Sequence, residues 1–243
     1  MPVKLTPRLM TAVSYVRGDR LLADVGTDHA YLPIYLCEQG KLTPVPAGNG
    51  EILCAVASDI NKGPVERADQ HIAAAGLTSL IHTRQTDGLR GLDVYDPSDI
   101  VIFGMGGELI AAILEASPWV NREGKRLILQ PMTHAEKLRE YLLSAGYSIV
   151  GETLSREGER IYQTICAELT PGIATPVLTP AELSVGQAIY REGSFEQTEI
   201  YIELIDRTLR AEIYARDARR KAGQETLEQD ALVASLEALK KTI

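Results

Sequence analysis

The chain has 243 residues, 45% of them apolar, and a formal net charge of −8. This suits a soluble globular protein of one large domain or one domain plus an appendage; no apolar run reaches the roughly 18 residues of a membrane span, and the acidic balance on its face argues against nucleic acid as a partner. Cys37, Cys54 and Cys166 lack CxxC spacing and the four histidines lack ligand spacing, so buried thiols are expected, with neither a disulfide framework nor a metal site.

The N-terminal stretch MPVKLTPRLMTAVSYVRGDR is amphipathic, with no unbroken apolar core after its early charges. It does not read as a signal peptide, and a cytoplasmic protein is expected. Apolar runs bounded by turn signals follow at 20–25, 52–57, 80–83, 99–103, 126–130, 147–151 and 161–167. Helical spacing fills 31–40, 62–76, 107–117 and 134–145. This alternation predicts an α/β fold with a mostly parallel sheet covered on both faces. The last two strands follow one another across SREGER and predict an antiparallel hairpin at one edge. KLTPVPAGNG, at 41–50, reads as a loop.

Three prolines in 170–180 break the pattern, and the domain boundary is expected there: 1–170 as the α/β domain, 171–243 as a helical domain. Ile202, Ile205, Leu209 and Ile213, then Leu232, Leu236 and Leu239, recur at spacings of three and four. They predict an antiparallel helical pair of coiled-coil-like character, turning at 222–226. Between Arg207 and Lys221 lie six basic residues (Arg207, Arg210, Arg216, Arg219, Arg220, Lys221) against two acids, a basic patch that the net charge hides. A solvated helix face is the plain alternative for it.

The chemistry is concentrated where the strands end. Ligands of an open parallel sheet bind beyond the carboxyl ends of its strands, near the point where strand order reverses. In order, the first five strands are followed by Gly26-Thr27-Asp28-His29, Ser58-Asp59, Thr86-Asp87-Gly88-Leu89, Gly104-Met105-Gly106-Gly107 and Gln130-Pro131. A carboxylate at the end of the second strand, Asp59, suits the two hydroxyls of a ribose. The first turn has a single glycine beside Asp28, so it is poorly built for a pyrophosphate. A cofactor with an adenosine end and a cationic, amino-acid-like end fits, and S-adenosyl-L-methionine has both. On this reading Asp24 and Gly26 lie near the methionine portion, Asp59 at the ribose and Asp87 near the adenine amino group, with Ile60 and Gly88 beside them as further cofactor-binding residues.

ADVGTDHAYLPIYL, ASDINKGPVERA, TDGL, VIFGMGG and LILQPMTHAEKLREYLLSAGY, in this order, resemble the bacterial TrmK family of tRNA methyltransferases, which act on N1 of adenine 22. The resemblance covers roughly 5–170, and the helical tail in character. It implies a class I (Rossmann-like) methyltransferase sheet, S-adenosyl-L-methionine as donor, and a C-terminal coiled-coil-like domain that helps hold tRNA. The chain departs from the family pattern at Met132, where an asparagine is usual, and in a longer 41–50 loop.

For methylation of adenine N1, Asp28 is expected as the electrostatic or base partner, Tyr31 as the residue stacking on or orienting the adenine, and His29 as an orienting group. Gly104 and Gly106 let cofactor or base approach the backbone, with Met105 packed on either. Gln130 and Pro131 belong to the substrate side, and Arg207, Arg216, Arg219 and Arg220 to tRNA phosphates. A monomer or weak oligomer is expected. Three rivals remain: a methyltransferase of the same fold acting on a small molecule or protein, a non-enzymatic scaffold, and an NAD-dependent oxidoreductase, which the absence of G-x-G-x-x-G disfavours.

Overall fold

The structure, a computed structural model, describes residues 3–170, 172, 176–187 and 195–243. In chain order its elements are α1 (Pro7–Val13), β1 (Leu22–Val25), α2 (Tyr31–Glu38), β2 (Val45–Pro46), β3 (Ile52–Leu53), β4 (Ala55–Asp59), α3 (Lys62–Ala74), β5 (Ile81–Gln85), β6 (Asp99–Met105), α4 (Gly107–Glu115), β7 (Arg126–Pro131), α5 (Ala135–Ser144), β8 (Tyr147–Glu157), β9 (Arg160–Leu169), α6 (Pro180–Val185), α7 (Phe195–Lys221) and α8 (Leu227–Lys240).

Seven strands form one sheet in the order β5-β4-β1-β6-β7-β9-β8. The first five in that order are parallel, and β9 and β8 close the edge antiparallel. The result is an open, mostly parallel α/β sheet with an antiparallel edge and added C-terminal helices, as the alternation of strands and helices predicts. Its apolar strands split by alternation, as side chains on a pleated strand must. Leu22, Ala55, Val101 and Ile128 pack on one face against Ala12, Leu32, Ile34 and Ile72 of α1–α3. Ala23, Val56, Ile100 and Leu127 pack on the other against Ile110 and Leu114 of α4 and Leu138 and Leu142 of α5. Cys54 and Cys166 are buried and Cys37 is half-buried, all three as free thiols.

Several boundaries differ from the sequence reading for local reasons. The run 52–57 breaks at Cys54: Ile52–Leu53 pairs antiparallel with Val45–Pro46, inside the expected loop, and only Ala55–Asp59 joins the main sheet. The edge strands extend far past their apolar centres, because the ladder continues through Ser155–Tyr162 and Glu157–Arg160. Their hairpin turn is thus confined to Gly158 and Glu159. α1 was unassigned; Thr6 caps it by accepting the Leu9 amide N–H at 3.4 Å, and Pro7 begins it. α6 was also unassigned, although Thr179 and Glu182 form a reciprocal capping box at its start. The expected boundary at 170–180 lies partly outside the described residues.

α7 and α8 run antiparallel, with Arg220 near Asp230 at one end and Lys240 near Asp206 at the other. Of the expected stripe, Ile205, Leu209, Leu232, Leu236 and Leu239 share one apolar cluster, which Tyr201 and Leu204 join and from which Ile202 and Ile213 are left out. Tyr201 and Ile205 are buried, with Leu204 and Leu209 packed beside them, while Ile202 is 37% exposed. The core they meet includes Leu154 of β8, Val185 of α6 and Leu236 of α8. The helical pair therefore shares apolar contacts with the edge hairpin.

One buried ion pair ties these parts together. Arg139 of α5 and Glu152 of β8 are both shielded from solvent, and Arg139 Nε and Nη2 donate to Glu152 Oε1 at 2.9 and 2.6 Å. Arg139 Nη1 also donates to the carbonyl of Leu183 at the end of α6, at 2.7 Å, and Glu152 Oε2 accepts the Gln187 amide at 2.8 Å. Breaking a buried pair leaves an uncompensated charge, whereas replacing both members with apolar groups does not. Glu152→Ala should therefore lose roughly 3–5 kcal/mol in urea unfolding. Arg139→Met combined with Glu152→Leu should lose less than either single truncation. A double variant as unstable as the sum of both would contradict this account.

Candidate active site

Parallel pairing brings the carboxyl ends of β5, β4, β1, β6 and β7 to one rim. From β1 the chain winds outward through β4 to β5, then returns to β6 on the opposite side of β1. The ends of β1 and β6 are the reversal point, where no crossover covers the rim. Every strand-end residue anticipated from the sequence lies along it.

At the end of β1, Gly26 takes φ +78°, and the amides of Gly26 and Thr27 donate to the carbonyl of Ser58 at 2.8 and 2.9 Å. Thr27 Oγ1 accepts the Ala30 amide at 2.9 Å and sets the entry into α2. Asp24 is buried beneath this turn, and burial pushes its carboxyl up to about 6 despite a hydrogen bond from Thr27. At the end of β4, Asp59 Oδ1 accepts the Asn61 amide at 2.7 Å. Its second oxygen has no partner among the described residues. Ile60 beside it is 56% exposed, an apolar surface at the rim. Asp87 is exposed at the end of the β5 turn, next to Gly88 at φ +55°.

β6 ends in a bulge at Gly104, and Met105 turns toward β1. A Cβ on Gly26 would lie 2.3 Å from Met105 Cε. A Cβ on Gly107 would lie 2.1 Å from the carbonyl oxygen of His134. Gly107 thus lets α4 begin against the Thr133–His134 turn, where its amide donates to the Thr133 carbonyl at 2.8 Å. Gly106 has a similar but looser neighbour in Thr133 Oγ1.

Asp28, His29 and Tyr31 form a second cluster, built with α3. Asp28 pairs with Arg67 and sits 3.1 Å from His29 Nε2. The Arg67 hydrogen bond is the largest influence holding its carboxyl below the usual carboxylate range. His29, Tyr31 and His71 stack with ring centroids 4.8, 5.0 and 5.2 Å apart. Tyr31 is 36% exposed on the groove between α2 and α3 and does not enter the core. Arg67 and His71 escaped the sequence reading, although both recur on one face of a helix already assigned.

At the end of β7, Gln130 and Pro131, expected on the substrate side, are both buried. Gln130 Nε2 donates to the Pro131 carbonyl at 2.7 Å, and Gln130 Oε1 accepts from Arg8 Nη1 at 3.1 Å. Gln130 therefore holds neighbours in place and exposes no surface of its own. Arg8 was missed altogether. A cleft of about 600 Å³ opens beyond Pro131, lined by Met132, His134, Arg160, Tyr162 and Arg207 among others. Arg207 thus reaches the rim, paired with Glu203 at 2.5 Å. Arg216, Arg219 and Arg220 lie roughly 13–20 Å farther along α7. Arg216 and Arg220 contact Asp230 at 3.8 and 2.6 Å, and Arg219 is exposed without an acidic partner among the described residues. No group of three or more metal-ligating side chains occurs among the described residues, nor a helix long and apolar enough to cross a membrane.

Comparisons with known proteins agree with this geometry. A family model described as a methyltransferase domain matches residues 5–165. The tRNA (adenine(22)-N(1))-methyltransferase of Bacillus subtilis is 37% identical over 166 residues, 68% of this chain and 66% of that enzyme, so the match spans just under two thirds of the relative's length. The crystal structure of the B. subtilis m1A22 tRNA methyltransferase TrmK is similar with a TM-score of 0.74 and 29% identity, covering 98% of this chain and 97% of that one. A Streptococcus pneumoniae homologue solved in complex with S-adenosyl-L-methionine gives a TM-score of 0.73 and 28% identity, covering 95% of this chain and all of that one.

The two tight glycines of the rim should differ in what they tolerate. Gly26→Ala meets the flexible end of Met105 and a left-handed backbone, a cost of about 1–2 kcal/mol. Gly107→Ala meets backbone that cannot move aside, and should cost about 3 kcal/mol, the upper end of overpacking. Thermal unfolding of both variants checks the order; a more severe Gly26 variant would contradict it.

Proposed function

The chain belongs to the TrmK family of tRNA methyltransferases, and we propose on that premise that it transfers the methyl group of S-adenosyl-L-methionine to N1 of adenine 22 in tRNA. The observation that carries the reading is the rim at the β1–β6 reversal, where an ionisable Asp24, the free oxygen of Asp59 and the exposed face of Ile60 lie side by side. These residues fit an adenosine with a cationic amino-acid end. Asp59 holds the ribose hydroxyls, Ile60 and the Asp87-Gly88 turn border the adenine, and Asp24 with Gly26 takes the amino-acid end. Gly104, Met105 and Gly106 close the crevice from β6. When bound, S-adenosyl-L-methionine supplies a methyl group on a positively charged sulfur, ready for transfer to a nucleophile.

The chain's own part is alignment and electrostatics. Adenine N1 is a modest nucleophile that must leave its stack to be reached. Held at near-attack distance it needs little further activation. Methylation puts positive charge on the ring, and a fixed carboxylate stabilises it. Asp28, kept ionised by Arg67, fits this role better than that of a proton acceptor, because a lowered pKa makes a weak base. Tyr31 and His29 extend a stacked surface beside it for the extruded base. Residues 1–170 form the catalytic unit, and residues 171–243 carry tRNA through Arg207, Arg216, Arg219 and Arg220, by phosphate contacts without base readout. Action as a monomer or weak oligomer in the cytoplasm, where tRNA is modified, is part of the same proposal. Truncation at 170 would uncover Leu154 and strip partners from Arg139 and Glu152, so charge reversal on α7 is the cleaner probe of the tail.

Isothermal titration with S-adenosyl-L-methionine, paired with methyl transfer to an unmodified tRNA transcript, tests these roles. Asp59→Ala should weaken donor binding by roughly 10- to 100-fold, the loss of a charge-assisted hydrogen bond. Asp28→Asn should lower kcat with donor affinity unchanged; a fully active Asp28→Asn enzyme rules the role out. The pH dependence follows from Asp24. Its ionised form attracts the donor's ammonium, so affinity should hold above pH 6 and fall as pH drops through about 6. Asp24→Asn should remove that slope, and a slope that survives the substitution assigns it to another group.

A further inference from the structure

Arg8 stands on the acceptor side of the crevice and has no part in the reading above. α1 carries it there and is fixed in place. The hydroxyls of Thr11 and Thr164 hydrogen-bond at 2.6 Å, the Arg8 amide donates to Glu157 Oε1 at 2.8 Å, and Arg17 just beyond the helix donates through Nε to buried Asp99 at 2.7 Å. The guanidinium is equally constrained. Its Nη1 donates to Gln130 Oε1 at 3.1 Å, its Cζ lies 5.4 Å over the centre of the Tyr162 ring, and Nη1 lies 3.1 Å from where a Cβ on Gly104 would stand. Nε is buried and has no acceptor. Gln130 and Tyr162 are both neutral partners, and no carboxylate forms an ion pair with Arg8 among the described residues.

A half-buried cation normally finds an acid. Here it is held by neutral groups at the end of β7 and the start of β9, with a glycine at the end of β6 leaving room beside it. Its charge also opposes a reaction that makes the target base cationic, unless an anion arrives with the reactants. We propose that Arg8 is an oxyanion-binding residue of the methyl-transfer site. Two reactants bring such an oxygen: a backbone phosphate of the target nucleotide and the carboxylate of the donor's amino-acid end. Both are planar or forked acceptors that suit a guanidinium. The inference rests on the proposed methyl transfer to tRNA.

Arg8→Met keeps the packing of the side-chain stem and removes the charge; Arg8→Gln serves where that variant fails to fold, as judged by thermal unfolding. S-adenosyl-L-methionine affinity is read by calorimetry and affinity for a tRNA transcript by filter binding across a salt series. If the oxyanion is the phosphate, tRNA binding weakens roughly 10- to 100-fold, its salt slope falls by about one phosphate, and donor affinity holds. If it is the donor carboxylate, donor affinity falls by a similar factor and tRNA binding holds. Unchanged affinity for both in a folded variant overturns the proposal, whether or not the rate falls. A parent enzyme that binds both reactants yet transfers no methyl group fails at the underlying reading instead, and leaves the Arg8 affinities to be judged separately.

Discussion

The reversal of winding at β1 is the constraint on which the site depends. Strand order forces the chain to leave β1 toward β5 and come back on the other side to β6. The rim between them therefore lacks a crossover, and whatever the β1 and β6 turns carry faces the crevice. The two turns must approach closely for this to work. Gly26 makes room for Met105, and Gly107 makes room for the carbonyl of His134. Around that contact the titratable groups have unlike environments. Asp24 is buried and pushed up to about 6, while Asp28, at the surface, is held down by Arg67. The two carboxyls are thus shifted in opposite directions by burial and by an ion pair.

The helical pair is tied to this site through the edge hairpin. Arg139 and Glu152 join α5, β8 and the end of α6 in one buried network, and Tyr201 of α7 donates to the Gly186 carbonyl at 2.7 Å just past α6. α7 thereby brings Arg207 to the cleft beyond Pro131. The rest of its basic face continues away from the rim, in a direction set by the helix axis.

The parallel strands were legible because burial on both faces makes them continuous apolar runs, and the strand-end glycines and acids were legible because turns need them. What sequence did not disclose was mostly set by distant contacts. Arg8 carries no motif, and its partner Gln130 is 122 residues away. Gln130 itself looked like a substrate contact, since an amide at a strand end is a common polar feature; only packing shows that it is buried. β2 and β3 are two residues each, below the length at which periodicity can be read. The buried stripe of α7 runs through Tyr201 and Ile205, and Ile202 was misplaced because neighbouring apolar residues allow two faces of similar spacing. Arg67 and His71 stood at the right interval on α3, but a charged and a polar residue four apart fit a solvated face equally well.

The most direct test of the central claim is where the methyl group goes. Unmodified tRNA transcript, incubated with the protein and S-adenosyl-L-methionine, is digested and its nucleosides analysed by mass spectrometry, alongside primer extension to locate the block. The account predicts 1-methyladenosine at position 22, and none when adenine 22 is replaced by guanine. Methylation at another atom or another position, or none at all from a protein that binds the donor, would contradict it.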